Sequence, residues 1–488
     1  MNKTNLTLVF LFIANFLLAF SYINAGLFHY DAVLLAEAVE KTVSTGELHG
    51  QTDGRYGSVI INSIIYLPFY LLGENADFTT RLSSVLFHAL SISALFLFLF
   101  SLTKNYKISL FIALLQSVTP HFLSPNTYGK EHAMAAFFLF LSWYYLTQNK
   151  YWLSNILLFV SISVREAILM YIPLSLILYF RPGFDFVNRK FLFEKKSKKE
   201  LVIFISVLLI IISLGFLLYQ QIITDLFFKE KTNAYIAHFA SGLKVFKAWS
   251  SAFGKITSEF STIYLLLITM SILFYLWRII KVKIIQTEQI FMLVLFAIML
   301  FISTNITFEA RYLDISFVSI HFFVAYFISS VFKKHNILAF AFVAYLVVST
   351  FLIIEPVLSY RHESNELKNF ALTINKTTEQ DSAIITADEA VFLNYYAPRK
   401  ILGYPRSKDS LEVERIANAT ILPELLNSTP IYLSGDAVFL DTVNLTTFNK
   451  LKEMFNVKEF TTIPLEQYHQ GDIKRTFRLM KIYKVEMK

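Results

Sequence analysis

The 488-residue sequence is 55% hydrophobic and only 16% charged, against roughly 25% charged residues in an average soluble domain, which excludes a soluble globular protein and indicates a polytopic membrane protein. The absence of cysteine excludes disulfide cross-links and thiolate metal sites. The formal net charge of +8 does not argue for nucleic acid as a partner, because membrane proteins gather Lys and Arg on their cytoplasmic side.

A bilayer-crossing helix needs roughly 20 apolar residues. Hydrophobic runs set against polar breaks predict eleven spans, near 5–23, 80–102, 107–123, 132–148, 152–164, 167–181, 201–219, 261–279, 289–305, 312–331 and 336–354. The opening run, Leu6 to Tyr22, is long, flanked only by Lys3 and followed by further spans, so it reads as a retained helix and not a cleaved signal. The fifth and sixth spans are short and meet at Val164-Arg165-Glu166.

Orientation follows from the distribution of positive charge. With the N-terminus inside, the cytoplasmic segments hold Lys3, Lys104, Lys107, Lys150, the basic cluster across 181–200, Arg278, Lys281, Lys283, Lys333 and Lys334. The short outer connections around 124–131 and 306–311 hold only Lys130 and Arg311. That asymmetry fits the positive-inside rule, and an odd number of spans places the C-terminal region outside.

Three segments are expected to project outward. The first is the loop 24–79, which carries Asp31, Glu37, Glu40, Glu47, Asp53 and Arg55. Its run Ser58–Gly73 is too short and too Pro-broken for a comfortable span, and reads as a helix lying at the interface. The second, Tyr219–Phe260, is mixed in polarity. The third, from Glu355 to Lys488, is soluble-like. There a helical pattern, NELKNFALTINKTT, precedes the apolar run SAIITAD, and strand-like runs follow at Pro430–Ser434 and Thr476–Val485. Sequons at Asn375, Asn418, Asn427 and Asn444 are consistent with an outer location. The predicted fold is mainly α: a membrane helix bundle of about eleven spans over residues 1–354, with a small extracytoplasmic α/β domain over 355–488.

Asp31 stands out chemically. Apolar residues at Val33, Leu34, Ala36, Val39 and Val43 predict a short amphipathic helix from His29 to Val43, with Asp31 in its first turn. An acid there complements the helix dipole. A carboxylate at a water–lipid boundary also suits a base that takes a proton from an acceptor hydroxyl or amine, since it is ionised at neutral pH.

The runs GRYGSVIINSIIYLPFYLLG, TTRLSSVLFHALSISALFLFLFSLTKN, SPNTYGKEHAMAAFFLFLSWYYL and SNILLFVSISVREAILMYIPLSLILYF, taken in order, resemble the family 39 glycosyltransferases. That family belongs to the GT-C fold class, with protein O-mannosyltransferases and lipid A aminoarabinose transferases as relatives. The resemblance covers roughly residues 24–181, together with FEARYLDISFVSIHF (308–322), which is similar to the family's late Arg-Tyr element. It implies an inverting transferase that moves a sugar from a polyprenyl-phosphate (dolichyl-phosphate) donor to a protein, lipid or glycan acceptor at the outer face of the cell membrane. Asp31 matches the family's catalytic acid. Many members carry an acidic pair there, whereas this chain has Asp31-Ala32, with Glu37 further along the helix. In the second outer loop, Glu131 matches an acid at the start of span four and is the second catalytic candidate.

The departing lipid phosphate calls for cations, and arginine binds phosphate through a planar two-point fork. The candidates are Arg165, Arg311, Arg55 and Arg81. Arg165, wedged between VSISV and AILMYIPL, is the most expensive to bury unpaired, while Arg55 and Arg81 read more simply as loop or helix-start charges. Glu37, His132, Lys130 and Tyr312 are candidate substrate contacts. No cofactor is predicted; Glu131 and His132 with a loop-one carboxylate offer only a weak divalent-metal pattern. A lipid-linked-sugar transporter or flippase also needs many spans and phosphate-binding arginines, and a polysaccharide polymerase or ligase shares the outer arginines. Against a transporter, no half-to-half symmetry is apparent and the charges concentrate at the outer boundary.

Overall fold

A computed structural model describes residues 3–51, 55–185, 188–194, 197–219, 260–281, 284–305, 313–386, 390–439, 442–468 and 475–488. The chain forms two compact units, Met1–Ile23 with Ala38–Ser359, and Asn24–Glu37 with Tyr360–Lys488.

The first unit is helical. Each of the eleven predicted runs coincides with a helical segment: α1 (Lys3–Ser21), α4 (Ala76–Thr103), α5 (Tyr106–Ser117), α7 (His132–Thr147), α8 (Tyr151–Val164), α9 (Ile172–Phe180), α10 (Lys198–Leu218), α11 (Thr262–Lys281), α12 (Thr287–Asn305), α13 (Phe317–Val331) and α14 (Asn336–Glu363). Among the described residues, five stretches are long and apolar enough to cross a membrane by length and composition: Lys3–Ser21, Ala76–Thr103, Glu200–Leu218, Thr262–Lys281 and Asn336–Thr377. The predicted span 107–123 is broken. Pro120 cannot continue α5, and the chain bends by 68° into the short helix α6 (Pro120–Leu123) and a 3-10 turn. The fifth and sixth runs break where the sequence places their junction, because Arg165 is extended (φ −154°, ψ 127°) and a 3-10 turn over Glu166–Tyr171 precedes α9.

Local chemistry sets several helix ends. The Asn75 side chain accepts from the Asp77 amide to start α4, and Asn105 does the same for α5 through the Ile108 amide. Each supplies an acceptor to an amide that lacks an intrahelical partner. Ser197 and Glu200 form a reciprocal capping box on α10. The core centres on Trp143 of α7, which is fully buried against Phe98 and Phe291. Its indole N–H donates to Ser175 Oγ at 3.2 Å, so the ring is buried without an unmet donor. The loop-one run predicted to lie at an interface is helix α3 (Tyr56–Tyr70), with Pro68 inside it and Ile60, Ile64 and Leu67 exposed.

In the first unit three short strands, β1 (Gly183–Asp185), β2 (Lys190–Leu192) and β3 (Ile284–Ile285), pair antiparallel, and the second unit carries a five-stranded sheet in the order β5 (Lys400–Gly403), β4 (Ala383–Thr386), β6 (Ile431–Ser434), β8 (Arg475–Glu486), β7 (Asn456–Tyr468). Strands β4, β5 and β6 are parallel, and β8 runs antiparallel to both β6 and β7. Parallel neighbours require crossovers, here supplied by α16 (Ala390–Tyr396), α17 (Ser410–Thr420) and α18 (Leu422–Leu426), while α19 (Gly435–Phe439) and α20 (Thr442–Met454) lead from β6 to β7. The predicted helix is α15 (Glu366–Thr377), and the predicted strand runs are β4, β6 and β8; β5 and β7 are additional. The boundary between the units falls inside α2 (Tyr30–Thr45): residues through Glu37 pack with the second unit.

Candidate active site

In the first unit, charge is concentrated where α3, α7 and α8 begin or end. Arg55 immediately precedes α3, and all three of its nitrogens meet carboxylates. Nε and Nη2 donate to Glu166 Oε2 and Oε1, each at 2.9 Å, and Nη1 donates to Glu131 Oε1 at 2.9 Å. Gly57 makes this approach possible, because a Cβ there would lie 2.2 Å from Ser163 Oγ and 2.8 Å from the Ser163 carbonyl carbon. Glu131, at the start of α7, is buried, and its second oxygen, Oε2, meets no hydrogen-bond donor among the described residues. The expectation that Arg55 is a simple loop charge is therefore corrected: it is a buried guanidinium closed on two acids.

A second cluster forms around Asp314, just before α13. Arg165 Nη1 donates to Asp314 Oδ2 at 3.2 Å, and His132 Nδ1 lies 2.8 Å from the same oxygen. Asp314 Oδ1 accepts from the Ile315 amide at 2.7 Å, and the Asp314 carbonyl accepts from Gln116 Nε2 at 2.8 Å. With the carboxylate ionised, a neutral His132 carries its proton on Nδ1 and donates it to Asp314 Oδ2. Arg165, His132 and Asp314 are all buried, and an intramembrane charge is retained only where it is paired.

The remaining candidates divide. Arg81 donates through Nε to Asp77 Oδ1 at 2.7 Å, one turn back on α4, as a helix-start charge would. Lys130 is buried, and its carbonyl accepts from Ser84 Oγ at 2.6 Å. Arg311 and Tyr312 lie outside the described residues. Asp31 and Glu37 belong to the second unit, both on α2. Asp31 sits in the first turn, half-buried, with its carboxylate 3.7 Å from His29 Nδ1; Glu37 Oε1 accepts from Asn394 Nδ2 at 3.2 Å. Among the described residues no three His, Asp or Glu side chains converge as a metal site: Glu131 faces Arg55, and His132 faces Asp314.

Sequence reasoning missed Asp314 as a partner and Glu166 as the counter-ion of Arg55. Asp314 is an acid at the head of an apolar run, a pattern that marks function by itself, but it stands beside the Arg311-Tyr312 pair, which carries the family resemblance. Glu166 is adjacent to Arg165 and cannot face it on a helix, so nothing local in the sequence gives its partner.

By sequence, no family model and no curated protein matches the chain. By structure, the chain resembles membrane glycosyltransferases. The archaeal oligosaccharyltransferase AglB from Archaeoglobus fulgidus, in complex with an inhibitory peptide and a dolichol-phosphate, aligns with a TM-score of 0.56 at 11% identity, over 97% of this chain and 74% of that one. ArnT from Cupriavidus metallidurans aligns in its apo state with a TM-score of 0.56 at 12% identity, over 97% of each chain, and in its undecaprenyl phosphate-bound state with a TM-score of 0.52. The mycobacterial arabinofuranosyltransferase AftD aligns with a TM-score of 0.57 at 11% identity, over all of this chain but 40% of its own. The chain therefore has the GT-C fold, a mainly helical membrane bundle with a small C-terminal sheet domain.

Proposed function

We propose that the chain is an inverting membrane glycosyltransferase that moves a sugar from a polyprenyl-phosphate donor to an acceptor at the outer face of the cytoplasmic membrane. The observation that carries this reading is the buried Arg165–Asp314–His132 cluster in a fold shared with ArnT, whose structure holds undecaprenyl phosphate. In the reaction, an acceptor hydroxyl or amine attacks the anomeric carbon as the carbon–oxygen bond to phosphate breaks. The electron pair leaves with the polyprenyl phosphate, and the acceptor proton passes to Asp31. Negative charge grows on the departing phosphate, so a fixed guanidinium stabilises the transition state more than the ground state.

Electrostatics favours Arg165 as the phosphate ligand over Arg55. Arg55 meets two carboxylates, Glu131 and Glu166, whereas Arg165 meets one, Asp314, beside the ionisable His132. The larger share of carboxylate charge at Arg55 disfavours a phosphate there relative to Arg165. Arg81 is engaged by its own helix, and Arg311 is retained as a second phosphate contact on sequence grounds. Glu131, through its unpartnered buried oxygen, accepts a hydrogen bond from a sugar or acceptor hydroxyl. Lys130, His132, Glu37 and Tyr312 complete the substrate contacts of this reading, which also places the C-terminal unit outside the cell membrane.

The test is transfer by the purified full-length protein from undecaprenyl phosphate carrying mannose, glucose or aminoarabinose in turn. The proposal expects turnover with one of these and its loss in Asp31→Asn, with undecaprenyl phosphate binding kept. A flippase predicts lipid-linked sugar movement that Asp31→Asn leaves intact.

A further inference from the structure

Residues 24–29, NAGLFH, precede α2 and belong to no helix or strand. Backbone groups buried in such a segment need partners from elsewhere, and here the second unit supplies them. The Ala25 amide donates to the Arg361 carbonyl at 2.9 Å, and the Ala25 carbonyl accepts from Lys368 Nζ at 3.2 Å. The Leu27 amide donates to the Tyr396 hydroxyl at 3.0 Å, and the Leu27 carbonyl accepts from Asn365 Nδ2 at 3.0 Å. The Phe28 ring lies under the Arg361 guanidinium, 3.9 Å from its centroid, in cation–π geometry. Gly26 fits the remaining space, since a Cβ there would lie 2.6 Å from Lys368 Cδ and 3.3 Å from the Tyr396 hydroxyl. Nearly two turns along α2 beyond Asp31, the Glu37–Asn394 bond ties the helix to the same unit.

These contacts flank Asp31 on both sides in sequence, and they come from four separate places: the end of α14, the start of α15, its first turn, and α16. We infer that the C-terminal unit is the positioning body of the Asp31 carboxylate, with Arg361, Asn365 and Tyr396 acting through the backbone of residues 25–28 to fix where the base sits. This rests on the reading of Asp31 as the base. It gives the C-terminal unit a role in the chemical step, separate from any capture of donor.

The experiment compares Tyr396→Phe and Asn365→Ala with wild type in the full-length protein, by transfer kinetics, by undecaprenyl phosphate affinity and by hydrogen exchange at the Leu27 amide. Tyr396→Phe keeps the ring and removes the acceptor of a buried amide, so Leu27 exchange should quicken roughly 5- to 100-fold, the range set by an unmet buried donor. Turnover should fall with donor affinity unchanged, and either substitution should add no further loss in an Asp31→Asn background, because groups acting through one another are non-additive. Full turnover in Tyr396→Phe and Asn365→Ala would overturn the inference, as would a loss that multiplies with that of Asp31→Asn. If instead wild type transfers no sugar, or Asp31→Asn transfers normally, it is the assignment of the base that fails, and Leu27 exchange still reports whether the second unit holds the segment.

Discussion

The ion pairs of the two units contrast in burial. In the first, Arg55, Glu131, Arg165 and Asp314 have side chains 1–6% exposed and meet in groups. In the second, Lys400 is 57% exposed against Glu424, and Lys481 and Glu459 are 42% and 48% exposed. Surface pairs of the second kind contribute little. Buried ions carry a desolvation cost of several kcal/mol each, and an apolar replacement of similar volume is often as stable. Stability alone therefore does not account for the buried groups of the first unit. The second unit also holds charges away from solvent, the buried Arg361 and Glu366 and the half-buried Asp31, and to Asp31 the proposal gives the most demanding role.

Substitutions separate the two kinds of site. The largest effect is expected from Asp31→Asn, with transfer lowered roughly 100- to 10,000-fold, the range of general-base catalysis, and thermal stability unchanged; a change in stability equal to the change in rate would mark Asp31 as structural. Next comes Arg165→Gln, which leaves Asp314 buried without its guanidinium. Titration should show undecaprenyl phosphate binding roughly 10- to 100-fold weaker, with about 3–5 kcal/mol of stability lost, whereas Arg55→Gln should destabilise without weakening the lipid phosphate's affinity. Gly57→Val tests the close approach of α3 to Ser163, and overpacking there should destabilise by about 1–3 kcal/mol in denaturation of the solubilised protein.

The smallest effect belongs to the second unit. The Tyr432 hydroxyl donates to Glu379 and holds that carboxyl below its usual range. A folded-state pKa that is depressed gives stability present above about pH 4 and lost as pH falls through the folded value. Tyr432→Phe should remove this acid-side slope, with about 1 kcal/mol or less at neutral pH because the carboxylate is largely exposed. Melting curves between pH 3 and 7 would show it.

Much of the architecture was legible because membrane helices are written as apolar runs of fixed length. All eleven coincide with helical segments, and even the weak junction at Arg165 appears as a break. The α/β character of the C-terminal region was readable from α15, β4 and β8, while the four-residue strand β5 was too short to show a period. The site was half-legible. Asp31, Glu131 and Arg165 stand out in the sequence as ionisable groups at helix boundaries, but the partners of such groups depend on packing between distant segments: Arg165 meets Asp314 across 149 residues, and Leu27 meets Asn365 across 338. Composition assigned residues 24–37 to an outer loop of the membrane domain, and only the hydrogen bonds of the folded chain show that they pack with 360–488.

The most direct measurement is an experimental density map of the full-length protein with undecaprenyl phosphate bound. The account predicts phosphate oxygens within hydrogen-bond distance of the Arg165 guanidinium, with Arg55 still closed on Glu131 and Glu166. A phosphate seated on Arg55, or one remote from both arginines, would contradict it.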